Sequence, residues 1–186
     1  SSYAQAAAMA MGRAMDDVII TAASANAFTG ETGATSTAAQ TAIAAGGAGL
    51  TIAKLRTAKQ TFDIGDVDPS IPRHIVVSPE QITNLLATTE VTSSDFNTVK
   101  ALVQGEIDSF LGFKFTVSNR LAKSGNDRTC IAFAQDGITL AIGKDVSARI
   151  DERADKSYAT QVYYCQSIGA TRMEEAKVLG IVCQEA

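Results

Sequence analysis

Residues that commonly build enzymatic and metal sites are scarce in this sequence. Its 186 residues include one histidine, His74, and three cysteines, Cys130, Cys165 and Cys183. An odd number of cysteines without CxxC spacing predicts neither a zinc site nor a complete disulfide framework, and reduced thiols are the simpler interpretation. We therefore expect no metal and no cofactor.

Long apolar runs and a positive charge balance are also missing. No run approaches the roughly 20 residues that span a bilayer, and no basic segment leads into a hydrophobic stretch as in a signal peptide. The formal net charge of -4 argues against a dedicated nucleic-acid binder, because such proteins neutralise phosphates with Lys and Arg. The composition, 46% hydrophobic and 19% charged, is typical of a globular protein, and we expect no membrane partner.

Two candidate chemical sites can be weighed from the residues. A small hydrolase would have to pair His74 with Cys165 or a serine, but no cysteine lies near His74 in the sequence. The stretch 30–37 resembles a phosphate loop, but it lacks the lysine of that motif and follows no apolar strand. We assign no catalytic residue and keep the His74 hydrolase as an alternative of a different class.

Helical periodicity dominates the first third of the chain. Met11, Met15 and Val18 recur on one face among helix formers, which predicts a long amphipathic helix over 3–25. The stretch 24–49 is rich in Ala, Thr, Ser and Gly and predicts a flexible loop region. A second amphipathic helix is predicted over 49–62, with an inward face formed by Ile52, Leu55, Ala58 and Phe62 and with Lys54 elsewhere.

A strand and a well-capped helix follow the two prolines Pro69 and Pro72. His74–Val77 is short and apolar, as in a strand buried in a mixed sheet. Ser78, Pro79 and Gln81 form a capping-box signature, which predicts a helix that turns Ile82, Leu85 and Leu86 inward.

Another helix is predicted from Asp95, capped by Ser94, to Gly105. Extended segments then dominate the sequence. They cover 113–118, 129–134, 138–142, 147–150, 160–168 and 177–183, with turns at 124–127 and 135–137. Helices early and strands late predict an α+β fold.

Charges of both signs lie on the late strands and on the first helix. Such groups supply direction and specificity more than affinity, so they are typical of surfaces that fix one copy of a protein against another. We hypothesise that they form inter-subunit or inter-domain salt bridges. The candidate interface residues are Arg13, Asp16, Asp17, Arg149, Asp151, Glu152, Arg153, Arg172 and Glu174.

Four runs of sequence together resemble the major capsid proteins of tailed bacteriophages with the Hong Kong 97 (HK97-like) fold. The runs are 10–17 (AMGRAMDD), 90–100 (EVTSSDFNTVK), 110–121 from Phe110 to Leu121, and 151–172 from Asp151 to Arg172. The resemblance covers almost the whole chain through the order and spacing of these runs.

The resemblance implies an HK97-like capsid fold with a long spine helix over 3–25. It implies a peripheral domain over 1–68 and 144–186, and an axial domain over 69–143. The N-terminal arm and extended loop that precede the spine helix in this family are not in the sequence, so we expect the natural product to extend further upstream. The family's crosslinking lysine lies in that loop, so covalent linking is not predicted.

The function implied is structural and not enzymatic. The protein would assemble into pentamers and hexamers of an icosahedral phage head that encloses double-stranded DNA without sequence-specific binding. A scaffolding protein, a portal and a maturation protease are the implied partners, and the location is the virion, after assembly in the host bacterial cytoplasm. The structural alternative is an encapsulin-like compartment shell, which shares the fold.

Overall fold

The computed structural model describes residues 2–87 and 109–185, which contain three α-helices and ten β-strands. The elements are α1 (Ser2–Ser24), β1 (Ala27–Thr29), β2 (Thr35–Thr37), α2 (Ile52–Ile64), β3 (Arg73–Val77), α3 (Pro79–Ala87), β4 (Ser109–Phe110), β5 (Phe113–Val117), β6 (Lys123–Ser124), β7 (Asp127–Ala134), β8 (Ile138–Arg153), β9 (Ala159–Arg172) and β10 (Val178–Gln184). Helices come early and long strands late, so the α+β prediction is confirmed.

A six-stranded mixed sheet forms the centre of the molecule. Its order is β10-β7-β3-β5-β4, with β6 paired to β7. β3 runs parallel to β5 and antiparallel to β7, as the short apolar run predicts for a strand in a mixed sheet. Ile75 and Val77 are fully buried on one face of β3, whereas His74 lies on the other face.

α2 packs on this sheet with the apolar face that its spacing predicts. Its buried residues are Ile52, Lys54, Leu55, Ala58 and Phe62. Lys54 is the difference from the prediction, because it is 9% exposed and its ammonium donates to the carbonyls of Ala48 at 2.7 Å, Gly49 at 2.9 Å and Val182 at 3.0 Å. With all three donors used, this buried charge joins α2 to the preceding loop and to β10.

One of the two hydrogen bonds in the predicted capping box of α3 is formed. Ser78 Oγ accepts the backbone N–H of Gln81 at 3.4 Å, as a capping residue does. The Gln81 side chain, however, does not complete the box: its Oε1 accepts the Leu50 N–H at 2.7 Å, and its Nε2 donates to the Gln184 carbonyl at 3.3 Å. Gln81 is fully buried, so a residue predicted as a local cap is a tertiary contact.

A second, two-stranded sheet consists of β8 and β9. The sequence predicts separate strands over 138–142 and 147–150, but the structure has one strand of 16 residues, β8. The gap between the two predicted strands corresponds to register shifts in the pairing with β9. The shifts lie between Ile142 and Lys144 and between Lys144 and Ser147. α1 lies against β9 and contacts β8 much less.

The stretch 24–49, predicted as a flexible loop, contains ordered pairing. β1 and β2 form an antiparallel hairpin in which Gly30 and Gly33 adopt positive φ angles of 87° and 64°. The segment that resembles a phosphate loop is therefore the turn and second strand of this hairpin. Further on, Ile43 forms a parallel bridge to Ile181 along the outer side of β10. Local composition does not predict these pairings. The strands of the hairpin have only a weak strand pattern, and the partner of Ile43 is distant in the sequence.

The division into 1–68 with 144–186 and 69–143 stays a prediction, and two sets of contacts cross it. β10, assigned to the first segment, pairs along its whole length with β7 of the second. α2 also packs its apolar face into the core of the six-stranded sheet. α1 and the β8–β9 hairpin form the other layer, and we refer to them below as the helix–hairpin layer.

The helix predicted from Asp95 to Gly105 lies outside the described residues. Within 2–87 and 109–185, no helix is long and apolar enough to cross a membrane.

Glu185, which follows β10, has a buried carboxylate that binds three side chains from other segments. Glu185 is 2% exposed; its Oε1 accepts Ser78 Oγ–H at 2.6 Å and lies 2.7 Å from Arg128 Nε, and its Oε2 lies 3.0 Å from Lys123 Nζ. Burial alone would raise the pKa of Glu185, but the hydrogen bonds from Ser78, Arg128 and Lys123 outweigh burial and lower the pKa to about 2. The end of β10 is thereby tied to α3 and β7.

We expect Glu185→Gln to lower the free energy of unfolding at pH 7 by about 2–3 kcal/mol, because Arg128 and Lys123 lose their charged partner. A carboxylate with a lowered pKa stabilises the fold above its unfolded pKa near 4.5 and loses that contribution as the pH falls toward about 2. The difference between wild type and variant is therefore expected to shrink by about 2 kcal/mol at pH 3. Urea unfolding at pH 7 and pH 3 measures it.

Glu31→Gln, at an exposed position, serves as the control and is expected to unfold like the wild type at both pH values. A difference between wild type and Glu185→Gln that stays constant across this pH range would contradict the assigned role of the carboxylate.

Candidate functional site

The helix–hairpin layer leaves most of its surface uncovered. α1 has 23 residues, and Ala23 is the one that the described structure buries. In the hairpin, every residue from 141 to 163 except Ser147 is exposed. A two-stranded hairpin is marginal in water unless something packs on it. Within 2–87 and 109–185, this layer therefore needs a partner more than the buried six-stranded sheet does, and it is our candidate site.

Large apolar side chains are concentrated on this layer. α1 exposes Tyr3 and Met9, and the hairpin exposes Ile142, Val146, Ile150, Tyr158, Val162 and Tyr163. A cleft of about 370 Å³ separates the first turns of α1 from the hairpin, lined by Tyr3, Ala7, Thr160, Val162 and Tyr164. Single exposed apolar residues need no explanation, but several on the same two elements are typical of an interaction surface.

Arg172 holds the layer together from inside. It is the last residue of β9 and is 4% exposed. Its Nη1 donates to the carbonyls of Ala23 at 3.3 Å and Ala25 at 2.7 Å, and its Nη2 donates to the Thr37 carbonyl at 3.0 Å. The cation lies at the negative end of the α1 dipole, where positive charge is favoured. Arg172 was predicted as an interface charge, but its guanidinium is occupied within the chain.

Asp17 and Arg120 join the helix–hairpin layer to the six-stranded sheet. Two guanidinium nitrogens of Arg120, which follows β5, contact the two carboxylate oxygens of Asp17 in a bidentate pair. The hydrogen bond from Arg120 lowers the pKa of Asp17, and the same bond raises the pKa of Arg120. The predicted interface residue Asp17 thus has a partner within the chain, on another element.

The hairpin carries four of the predicted interface charges near its tip. Arg153 pairs with Asp155 two residues on. Within the described residues, Arg149, Asp151 and Glu152 form no ion pair, and their side chains are exposed. The β8–β9 register places Arg149 opposite Tyr163 and Asp151 opposite Gln161. These charges therefore remain available to a second molecule.

The other three predicted interface residues have different surroundings. Arg13 and Asp16 are exposed on α1, and Asp16 adds a favourable charge near Arg120. Glu174 pairs with Lys177 at 3.0 Å, and Lys177 also contacts Asp136 at 2.8 Å. The structure thus gathers the nine predicted charges onto one layer or its margins, but it does not show them in an interface between copies.

Several organising residues escaped sequence reasoning. Arg120, Lys54 and Glu185 each join segments that are far apart in the chain. Their signal in the sequence is weak, because a single charge beside turns or on a helix is usually solvated. Lys54 offered one clue, since it lies next to Leu55 on the apolar side of α2.

The described residues hold no metal cluster and do not bring Cys165 to His74. No group of His, Cys, Asp and Glu side chains among them could hold a metal ion. The His74 ring stacks on Phe133 at 5.6 Å, and burial, followed by the charge of Lys114, lowers its pKa. Cys165 contacts Ser147 Oγ at 2.9 Å on the hairpin, in a different sheet from His74. Of the two pairings in the hydrolase alternative, His74 with Cys165 or with a serine, the Cys165–His74 pair is therefore not formed.

The chain matches one protein family along nearly its full length. The family model described as phage capsid protein matches residues 1–185. No curated protein matches the chain.

Solved structures share the fold at low sequence identity. A chain from Mycobacterium phage Che8 has 20% identity and a TM-score of 0.68, with 96% of this chain and 61% of that chain covered. The cyanophage Pam1 capsid has 12% identity and a TM-score of 0.67, with 98% and 68% covered. The head of Helicobacter pylori bacteriophage KHP40 has 13% identity and a TM-score of 0.65, with 94% and 66% covered.

These likenesses confirm the predicted HK97-like fold. The chain spans about 61% to 68% of the length of those three structures. The fold is therefore shared over most of this chain and over part of each similar protein.

Replacing Arg172 tests its role as the anchor of the helix–hairpin layer. We expect Arg172→Lys to lower the free energy of unfolding by about 2 kcal/mol, because Arg172 donates from two separate nitrogens to the end of α1 and to β2, whereas an ammonium carries its donors on one atom. Amide hydrogen exchange is expected to accelerate near the end of α1 and in β2.

Arg13→Lys, an equally conservative change at an exposed site on α1, is the matched control and is expected to stay within about 0.5 kcal/mol of wild type. Equal stability of the two variants would show that Arg172 does not anchor the layer.

Proposed function

Because the chain belongs to the phage capsid protein family, we propose that it forms the core of a major capsid protein that assembles into the icosahedral head of a tailed phage. One observation supports this most strongly. The helix–hairpin layer, with a 23-residue helix and a 16-residue strand, covers little of itself within one chain. Elements of this length can be exposed in the single chain because neighbouring copies bury them in the assembly.

The assembly we propose consists of pentamers and hexamers that tile a closed shell. Contacts within such rings are heterologous and close on themselves, so one chain can repeat a modest interface many times. The location is the virion, after assembly in the host bacterial cytoplasm. A scaffolding protein, a portal and a maturation protease are the further partners that we propose.

The division of labour within the chain follows the two layers. We propose that α1 and the β8–β9 hairpin belong to the peripheral part of the subunit, and that the six-stranded sheet with α2 and α3 belongs to the axial part. The pairing of β10 with β7 crosses the division at 144 that the resemblance implies, and it supports placing β10 with the axial part.

The shell that we propose encloses double-stranded DNA without reading its sequence. The formal net charge of -4 suits a container whose wall does not attract phosphates. A basic lining would instead bind the DNA backbone and oppose its movement during packaging.

The two alternatives have less support. An encapsulin-like compartment shares the fold, but the matching family and the three similar structures described above are those of phages. A hydrolase using His74 is not favoured, because capsid proteins are structural and His74 packs against an aromatic ring.

Particle formation is the direct test. We expect the protein that contains this sequence to form closed shells, visible by negative-stain electron microscopy and as a fast species in sedimentation. We expect Arg153→Glu to reduce particle yield with an unchanged circular dichroism spectrum, because the change reverses a charge at the exposed hairpin tip. Arg56→Glu, an exposed change on α2 of the sheet layer, is the matched control.

Monomers under all assembly conditions would contradict the proposed function. Shells whose yield is insensitive to Arg153→Glu would leave the capsid role standing and would remove the hairpin tip from the contacts that drive assembly. Co-purification of a protein cargo instead of DNA would favour the compartment alternative.

A further inference from the structure

The outer edge of β8 presents unpaired backbone groups. β8 and β9 form a two-stranded sheet, so β8 has β9 on one side and no strand of the described chain on the other. α1 contacts β9, on the far side of β8 from this edge, much more than it contacts β8 itself. An open edge is a template on which another strand can pair.

The far part of this edge is regular. Both register shifts lie between Ile142 and Ser147, and from Ser147 to Arg153 each residue has a direct partner on β9. Shifts and bulges twist an edge away from new partners. The segment 147–153, which we call the distal edge, is therefore the part of β8 suited to pairing.

The side chains of the distal edge alternate in a specific way. Arg149 and Asp151 lie on one face of the hairpin, because successive residues of a strand alternate between faces. Ile150, between them, lies on the other face and is 68% exposed. Charges on an edge usually prevent pairing, but opposite charges two residues apart also create a self-complementary pattern.

We propose that two copies of the chain pair antiparallel through their distal edges, with Ile150 opposite Ile150 of the second copy. This register places Arg149 of each copy opposite Asp151 of the other, on a shared face. It also places two exposed isoleucines together on the opposite face. The contact is isologous, so each favourable pair occurs twice.

Neighbouring registers are disfavoured by the same charges. A slip that brings Asp151 opposite itself also brings Arg149 opposite Arg153. A slip in the other direction sets Arg149 against itself, and one that pairs Asp151 with Arg153 sets Glu152 against itself. Like charges directly opposite each other destabilise strand pairs, so the sequence 149–153 selects one register.

The partner in this contact is a second copy of the chain, so the proposed pairing rests on the proposed shell function. It adds a two-fold contact between hairpins to the ring contacts proposed above. Main-chain hydrogen bonds supply affinity in such strand addition, and the side chains select the register.

Disulfide crosslinking tests the register. In a Cys165→Ser background, Ile150→Cys is expected to give a covalent dimer with a mild oxidant, because directly opposed residues lie about 4.5–5.5 Å apart at Cα. Glu152→Cys is the matched control: in this register its two copies are offset by four residues, about 13 Å along the strand, and do not crosslink. No dimer from Ile150→Cys, or equal dimer from both variants, would overturn the proposed pairing.

A charge swap tests the same contact without cysteines. We expect Arg149→Asp and Asp151→Arg, each alone, to weaken dimerisation in sedimentation equilibrium by about tenfold or more, because like charges then face each other twice. The double variant R149D/D151R restores both opposite pairs and is expected to recover most of the affinity. A double variant as weak as the singles would overturn the register.

Electron microscopy of the same preparations separates this inference from the shell function. Shells without the Ile150→Cys dimer would overturn the edge pairing and leave the capsid role intact. Crosslinked dimers from a protein that never forms shells would support the pairing and contradict the capsid role.

Discussion

The rest of the structure depends on one buried cation. Arg172 ends β9, and its guanidinium binds carbonyls of Ala23, Ala25 and Thr37. A buried charge is costly unless it is hydrogen-bonded, so these carbonyls must stay where the two terminal nitrogens of the guanidinium can reach them. The end of α1, the β1–β2 hairpin and the end of β9 are thereby held at one point. Because the layer is fixed at this end, the remainder of α1 and of the β8–β9 hairpin can extend without its own core.

Buried polar groups play the same part in the six-stranded sheet. Lys54 holds the loop before α2 to β10, Gln81 holds that loop to α3, and Glu185 holds the chain end to Ser78 and Arg128. Much of the surrounding sequence is Ala, Gly and Thr, whose small side chains bury little area. Directional bonds therefore position segments that apolar contact alone would leave loosely placed. In both layers, buried charged side chains position neighbouring segments, whereas exposed charged side chains remain available to partner molecules.

The fold could be predicted from sequence where a pattern is local. The inward face of α2, the strand at 74–77 and the Ser78 cap all follow from periodicity or from a short motif, and the structure confirms them. What sequence reasoning missed is long-range. Ile43 bridges to Ile181, and Gln81 turns from its own cap to Leu50, because tertiary partners outweigh local preference. For the candidate site, position on the chain predicted which charges lie on α1 and on the hairpin, but it could not show that Arg172 and Asp17 are engaged within the chain.

A long strand with an exposed edge, such as β8, must avoid nonspecific pairing with other chains before assembly. The near half of β8 is protected by the register shifts between Ile142 and Ser147, which disturb its edge. The distal edge has no such shift and relies on charge. Its alternating signs repel most registers and permit the one that sets Arg149 against Asp151. In the proposed pairing, the same residues therefore prevent wrong contacts and select the right one, which is why the hairpin can stay exposed in the single chain and still assemble in one way.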